Sequence, residues 1–307
     1  MTMGGRRQTS GAVAVDGPGL APPPARPEPE RDRYGRYRIP DPVTGEERSW
    51  VRATTWAKTV ADLHALHGWE KRMVALGFAQ RPDLLLRVAA VAEPESSQGR
   101  GQLDRLVEQA REHAKASARA NLGTALHAFT ESIDLGRPLP EIPPPYDRDV
   151  AAYRKAMAAV EVSRNYVERI CVIRELGVAG TMDRVVRFKH GRDGRRLPLI
   201  ADLKSSADLK YSWNEIAIQL ALYAHADTIY DPVTEEHHPM LEVNQEQALV
   251  VHLPAGEGRC TLYLIDIAAG WEMAQLCGTV RAWRDRRNLA QLLDQVDLET
   301  GVGAEAR

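Results

Sequence analysis

The chain is poor in cysteine: Cys171, Cys260 and Cys277 are its only three, widely separated and without a Cys-x-x-Cys pair. That spacing excludes a disulfide framework and offers no zinc pattern, which leaves the thiols as small apolar residues for a core. No apolar run is long enough to cross a bilayer. Residues 1–14 carry basic side chains but no apolar stretch of the kind a secretory signal needs, so the expectation is a cytoplasmic protein with no membrane partner. Charge of one sign is not in excess either. A net charge of −2 argues against a highly basic nucleic-acid coat protein, while leaving room for a local basic groove. No internal repeat is visible, so a solenoid is not expected.

What is present is the balance of a soluble globular protein, 44% hydrophobic and 27% charged residues in a chain of 307. Residues 1–47 are rich in Gly, Pro and Arg, including Gly17-Pro18-Gly19 and Pro22-Pro23-Pro24, and read as a flexible tail. One domain is expected over 48–296, helical over 54–163 and strand-rich over 164–296, with a second flexible tail at 297–307. Apolar residues at helical spacing predict two helices over 54–77 broken near Gly68, one over 83–92, and one long helix or two in line over 102–135. A further helix is expected over 147–163. The β-branched segments 166–173, 178–188 and 197–204 predict three consecutive strands, the last two forming a hairpin with a basic tip at 189–196. An apolar helix at 213–230, strands at 248–253 and 260–267, and an amphipathic helix at 270–293 complete the order.

The most informative local signal is Ile200-Ala201-Asp202-Leu203-Lys204, because a strand sends alternate side chains to one face and so projects Asp202 and Lys204 together. A carboxylate is an oxygen ligand for Mg²⁺, and a neighbouring lysine can stabilise phosphate charge and help activate water. The plainer reading is a surface ion pair. On the preceding strand Gly180-Thr181-Met182-Asp183 allows close backbone approach and sets Asp183 to meet Asp202 across the sheet, unless it pairs with Arg184 or Arg187 instead. In Gly123-Thr124-Ala125-Leu126-His127 the histidine can complete a metal site, with Glu131 one turn further on the same face. A lone helical histidine is more often an ordinary surface or core group. Gln219 and Tyr223, four apart on an apolar helix, orient the site or form an internal hydrogen-bond pair, and Glu215 extends their face.

The ordered set Gly123-x-x-x-His127, Gly180-x-x-Asp183, Asp202-x-Lys204 and Gln219-x-x-x-Tyr223 resembles the RecB-like nucleases of the PD-(D/E)XK superfamily, including their phage relatives. The resemblance spans roughly residues 49–286. It implies an α/β fold with a central mixed sheet flanked by helices, a restriction-endonuclease-like catalytic core over 164–296 and a helical N-terminal part. It also implies that His127, Asp183 and Asp202 hold Mg²⁺ or Mn²⁺, that Lys204 positions or activates water, and that Gln219 and Tyr223 support the site or DNA. Glu168 resembles an acidic position found in some relatives. The implied function is a metal-dependent DNA nuclease of DNA processing, recombination or repair, an exonuclease first and an endonuclease as the alternative. Outside enzymes, the alternative is a non-catalytic DNA-binding scaffold. Three cysteines are too few for the four-cysteine iron–sulfur cluster of some members, so none is expected. No Gly-x-x-x-x-Gly-Lys-Ser/Thr loop appears, so the enzyme would be free-standing, with any helicase or recombination partner a separate protein. Local charge for DNA is offered by Arg187, Lys189, Arg192, Arg195 and Arg196, or by Arg281, Arg284, Arg286 and Arg287.

Overall fold

Short β-branched and aromatic runs give strands at both ends of a helical first half, and the strands then collect into two separate sheets. The computed structural model describes residues 27–114, 116–189, 197–287 and 289–290. The chain begins with β1 (Tyr37–Pro40) and β2 (Glu47–Arg52), followed by α1 (Ala53–Ala57), α2 (His64–Gln80), α3 (Pro82–Ala89) and α4 (Ser97–His113). Next come α5 (Ala116–Asp134), α6 (Tyr146–Met157), β3 (Val160–Val162), β4 (Arg169–Ile173) and β5 (Val178–Met182). Then follow β6 (Arg184–Phe188), β7 (Leu199–Lys204), α7 (Trp213–Ala224), β8 (Thr228–Asp231), β9 (Glu236–Pro239), β10 (Gln247–His252), β11 (Thr261–Asp266) and α8 (Ala268–Arg284). Among the described residues, no helix is long and apolar enough to cross a membrane.

The architecture is α/β with mixed sheets, but there are two sheets where one was expected. The first has the order β1-β2-β5-β4-β8-β9 and the second β11-β10-β7-β6-β3. Each holds one parallel pair, β2 with β5 and β7 with β10, among antiparallel neighbours. The expected continuous strand over 178–188 is where the chain changes sheet: β5 lies in the first, β6 in the second, and Asp183 is the residue between them. The register of β6 on β7, Arg184 opposite Ala201 and Val185 opposite Ile200, would bring Met182 opposite Leu203 if it continued. Instead the Asp183 carboxylate turns back and accepts the Leu203 N–H at 2.6 Å, replacing the missing ladder partner.

Further expectations are corrected, among them the helix expected over 147–163, which ends at Met157 and is followed by strand β3. The tail assigned to residues 1–47 contains β1, whose Tyr37 and Ile39 are buried against Trp50 of β2 and Val172 and Ala179 of β4 and β5. Its turn is held by Asp41, which accepts the Val43 N–H at 2.9 Å and the Arg174 guanidinium at 3.0 Å. The break expected near Gly68 falls earlier, in the 3₁₀ turn Lys58–Val60, and Gly68 lies inside α2. The helix expected over 213–230 stops at Ala224, because Asp227 donates its N–H to Val172 and accepts that of Arg174, which delivers Thr228–Asp231 to the edge of β4 as a strand. Helix α8 ends at Arg284. The helix expected over 270–293 therefore stops short, with residues 285–287 already outside it, while residues 190–196 of the hairpin tip and the tail at 297–307 lie outside the described residues.

Strand β7 divides the interior. Leu199, Ala201 and Leu203 point into a core shared with Leu126 and Phe129 of α5 and Tyr153 of α6, whereas Ile200 points into the core under α7. Period-two alternation therefore sends Asp202 and Lys204 toward α7. Cys171 and Cys277 are buried in that second core, and Cys260 is half-buried just before β11.

Candidate metal centre

Helix α5, the turn before β4 and the junction between β5 and β6 meet at three potential metal ligands. One ligand atom each from His127, Glu168 and Asp183 lies within 4.8 Å of the others. His127 Nδ1 is 3.5 Å from Asp183 Oδ2. Glu168 is held beside Asp183 by its backbone, whose N–H donates to the Asp183 carbonyl at 2.7 Å. It adopts a left-handed φ of 53° to do so, a conformation that costs a non-glycine residue about 1–2 kcal/mol.

Next to this group a chain of side chains runs from β7 to α7. Lys204 Nζ sits 2.7 Å from Asp202 Oδ2 and donates to Gln219 Oε1 at 3.1 Å. Gln219 Nε2 donates to Asp202 Oδ1 and to the Tyr223 hydroxyl, both at 3.2 Å. Asp202 is buried, only 3% exposed, and its Oδ2 is paired with the Lys204 ammonium. Burial raises the Asp202 carboxyl above its ordinary range; Lys204 opposes that and the Asp183 charge adds to it. For Lys204 burial works downward and is the largest single influence, but Asp202, Asp183 and Glu215 together outweigh it and the net shift is upward. Burial first, then the Asp202 charge, pushes the Tyr223 phenol well above its usual value.

Both helix approaches fall at a glycine. A Cβ added to Gly123 would lie 2.5 Å from Ser205 Oγ, which places α5 against the residue that follows Lys204. A Cβ on Gly180 would lie 2.8 Å from Ala53 Cβ and 2.9 Å from Tyr223 Cε1. The expected face-to-face meeting of Gly180-x-x-Asp183 and Asp202 is therefore achieved differently. Gly180 admits Tyr223, and Asp183 reaches β7 through the Leu203 amide.

Of the residues read from the sequence, His127 and Asp183 come together, and Asp202, Lys204, Gln219 and Tyr223 form the adjoining chain. Asp202 stands outside the ligand-distance group to which the motif pattern assigned it, and Glu168 stands inside. Glu131 pairs with Arg137 at 3.4 Å. The charge of Glu215 helps raise the Lys204 ammonium's pKa. Arg184, read as a surface partner for Asp183, is 0% exposed and is bound chiefly to Asp134. The α8 arginines are partly committed to the fold, Arg281 over the Trp56 ring and Arg284 on the Thr59 carbonyl at 3.1 Å. Arg187 and Lys189 on the hairpin are exposed.

Compared with models of protein families and with curated proteins, the chain matches none.

Proposed function

We propose that the chain is a metal-dependent DNA nuclease of the RecB-like kind, acting from DNA ends. The observation that carries this reading is the convergence of His127, Glu168 and Asp183 beside the buried Asp202–Lys204 ion pair. A divalent cation is the partner that clustered carboxylates and an imidazole suit. The donor set fits Mn²⁺ at least as well as the harder Mg²⁺. His127, Glu168 and Asp183 would hold the ion, with Asp202 as the adjoining carboxylate. When bound, such a cation supplies Lewis acidity, offsetting negative charge on a phosphate and raising the acidity of water.

The chain's own residues divide the remaining work. Lys204 presents a cation to the charge that develops on a phosphodiester as it is cut, and Asp202 aims it. Gln219 spans Asp202, Lys204 and Tyr223, so one amide fixes the geometry of three polar groups. Exposed Arg187 and Lys189 offer phosphate contacts that carry no sequence information.

The test is an assay on covalently closed circular DNA and on the same DNA linearised and end-labelled, with Mn²⁺, Mg²⁺ or chelator. Loss of the linear DNA from its ends with either ion, the circle intact and no loss with chelator, is the expected result. Nicked circles would reassign the enzyme as an endonuclease. Neither substrate being cut with any ion would contradict nuclease activity.

A further inference from the structure

A fully buried arginine is expensive, and replacing a buried ion pair by apolar residues often leaves stability unchanged or improved. Arg184 is 0% exposed, and so calls for a reason other than stability. Its guanidinium reaches Asp134 Oδ2 at 2.7 Å and Thr130 Oγ1 at 3.3 Å on α5, and the Tyr153 hydroxyl on α6. Tyr153 in turn donates to both oxygens of Asp134, at 2.8 and 2.9 Å. Thr130 donates to the carbonyl of His127 at 3.0 Å. Along its own strand Arg184 follows Asp183, and its Nη2 lies 3.8 Å from the Asp183 carboxylate.

We infer that Arg184 is a positioning residue, which locks the α5 turn carrying His127 to the strand start carrying Asp183 and so sets the separation of those two cation ligands. The inference rests on the nuclease reading only in taking the His127–Glu168–Asp183 group as a cation site. The two ligands come from elements far apart in sequence, and Arg184 is bonded to the same helical turns as one of them and is the chain neighbour of the other. Partners that orient metal ligands commonly matter about 10- to 100-fold to metal affinity. Charge alone predicts the opposite sign. A guanidinium close to Asp183 repels a cation, so removing it would tighten binding if electrostatics were its whole contribution.

The experiment is Mn²⁺ titration calorimetry on the full chain, with a thermal melt alongside. Arg184→Met is combined with Asp134→Asn so that no buried charge is left alone and Tyr153 keeps an acceptor. The expected result is a retained fold with Mn²⁺ bound about tenfold or more weakly. Arg184→Lys, which keeps one donor on Asp134 but loses the fork, is expected to recover part of that loss. Affinity that is unchanged or tighter in the folded double variant would overturn the inference. Should the double variant fail to fold, Thr130→Val, which removes the link from Arg184 through Thr130 to the His127 carbonyl while leaving the Asp134 pair, is read the same way: weaker binding supports the inference, unchanged binding overturns it. Wild-type protein that binds no Mn²⁺ would instead overturn the cation-site reading itself.

Discussion

Tyr223 can reach the site only because residue 180 has no side chain. With Ala53 Cβ at 2.8 Å and Tyr223 Cε1 at 2.9 Å from an added Cβ, Gly180→Ala must displace helix α1, helix α7 or the tyrosine ring. Overpacking of this kind costs about 1–3 kcal/mol, and here it also pulls the hydroxyl from Gln219. The expected outcome is a modest fall in thermal stability with a loss of cleavage larger than the loss of folded protein, read from parallel melts and rate measurements. Equal losses would assign Gly180 to packing alone. At this scale much of the site was legible: Asp202 and Lys204 follow from strand alternation, and Gln219 and Tyr223 from two polar residues four apart on an apolar helix. Glu168 was less so. Its place among the ligands depends on a left-handed φ and on a bond to the Asp183 carbonyl, neither of which leaves a pattern in the sequence. The burial of Arg184 was hidden for a similar reason, since its partners Asp134 and Tyr153 are brought to it by tertiary packing.

Among the elements, long periodic helices and strongly β-branched strands were readable, and short ones were not. Strand β1 has only four residues, with Tyr37 and Ile39 as its buried pair, too few for alternation to stand out from the Gly- and Pro-rich stretch before it. Its contribution is nonetheless structural. Ile39 is 0% exposed, and its carbonyl accepts the Trp50 indole N–H at 3.0 Å. Ile39→Ala is expected to destabilise the fold by about 2–4 kcal/mol, measured by urea unfolding. A change below about 0.5 kcal/mol, the range of ordinary surface substitutions, would return β1 to the status of a dispensable tail. Strand β8 was likewise absorbed into the preceding helix, because Thr228-Ile229-Tyr230 continues its apolar character. The element ends where Asp227 bonds to the neighbouring strand, a long-range contact that local propensity does not encode.

Across the whole molecule, the change of sheet at Asp183 is what brings the pieces of the candidate centre together. Strand β5 carries Gly180 under Tyr223, β6 begins with Arg184 under α5, and the residue between them supplies a carboxylate to both β7 and the ligand group. A single continuous sheet, the arrangement the strand order suggested, would leave the Leu203 amide to a backbone partner and Asp183 with a different direction. On the proposed function, this junction supports metal-dependent phosphodiester hydrolysis with Lys204 as the charge-stabilising group. That assignment is tested most directly by comparing wild type with Lys204→Ala on end-labelled linear DNA at matched Mn²⁺ concentration, with Mn²⁺ binding checked in both. Lys204→Ala is expected to fold and still bind Mn²⁺ and DNA but to cleave about 100-fold or more slowly. Cleavage by Lys204→Ala at the wild-type rate would contradict the assignment.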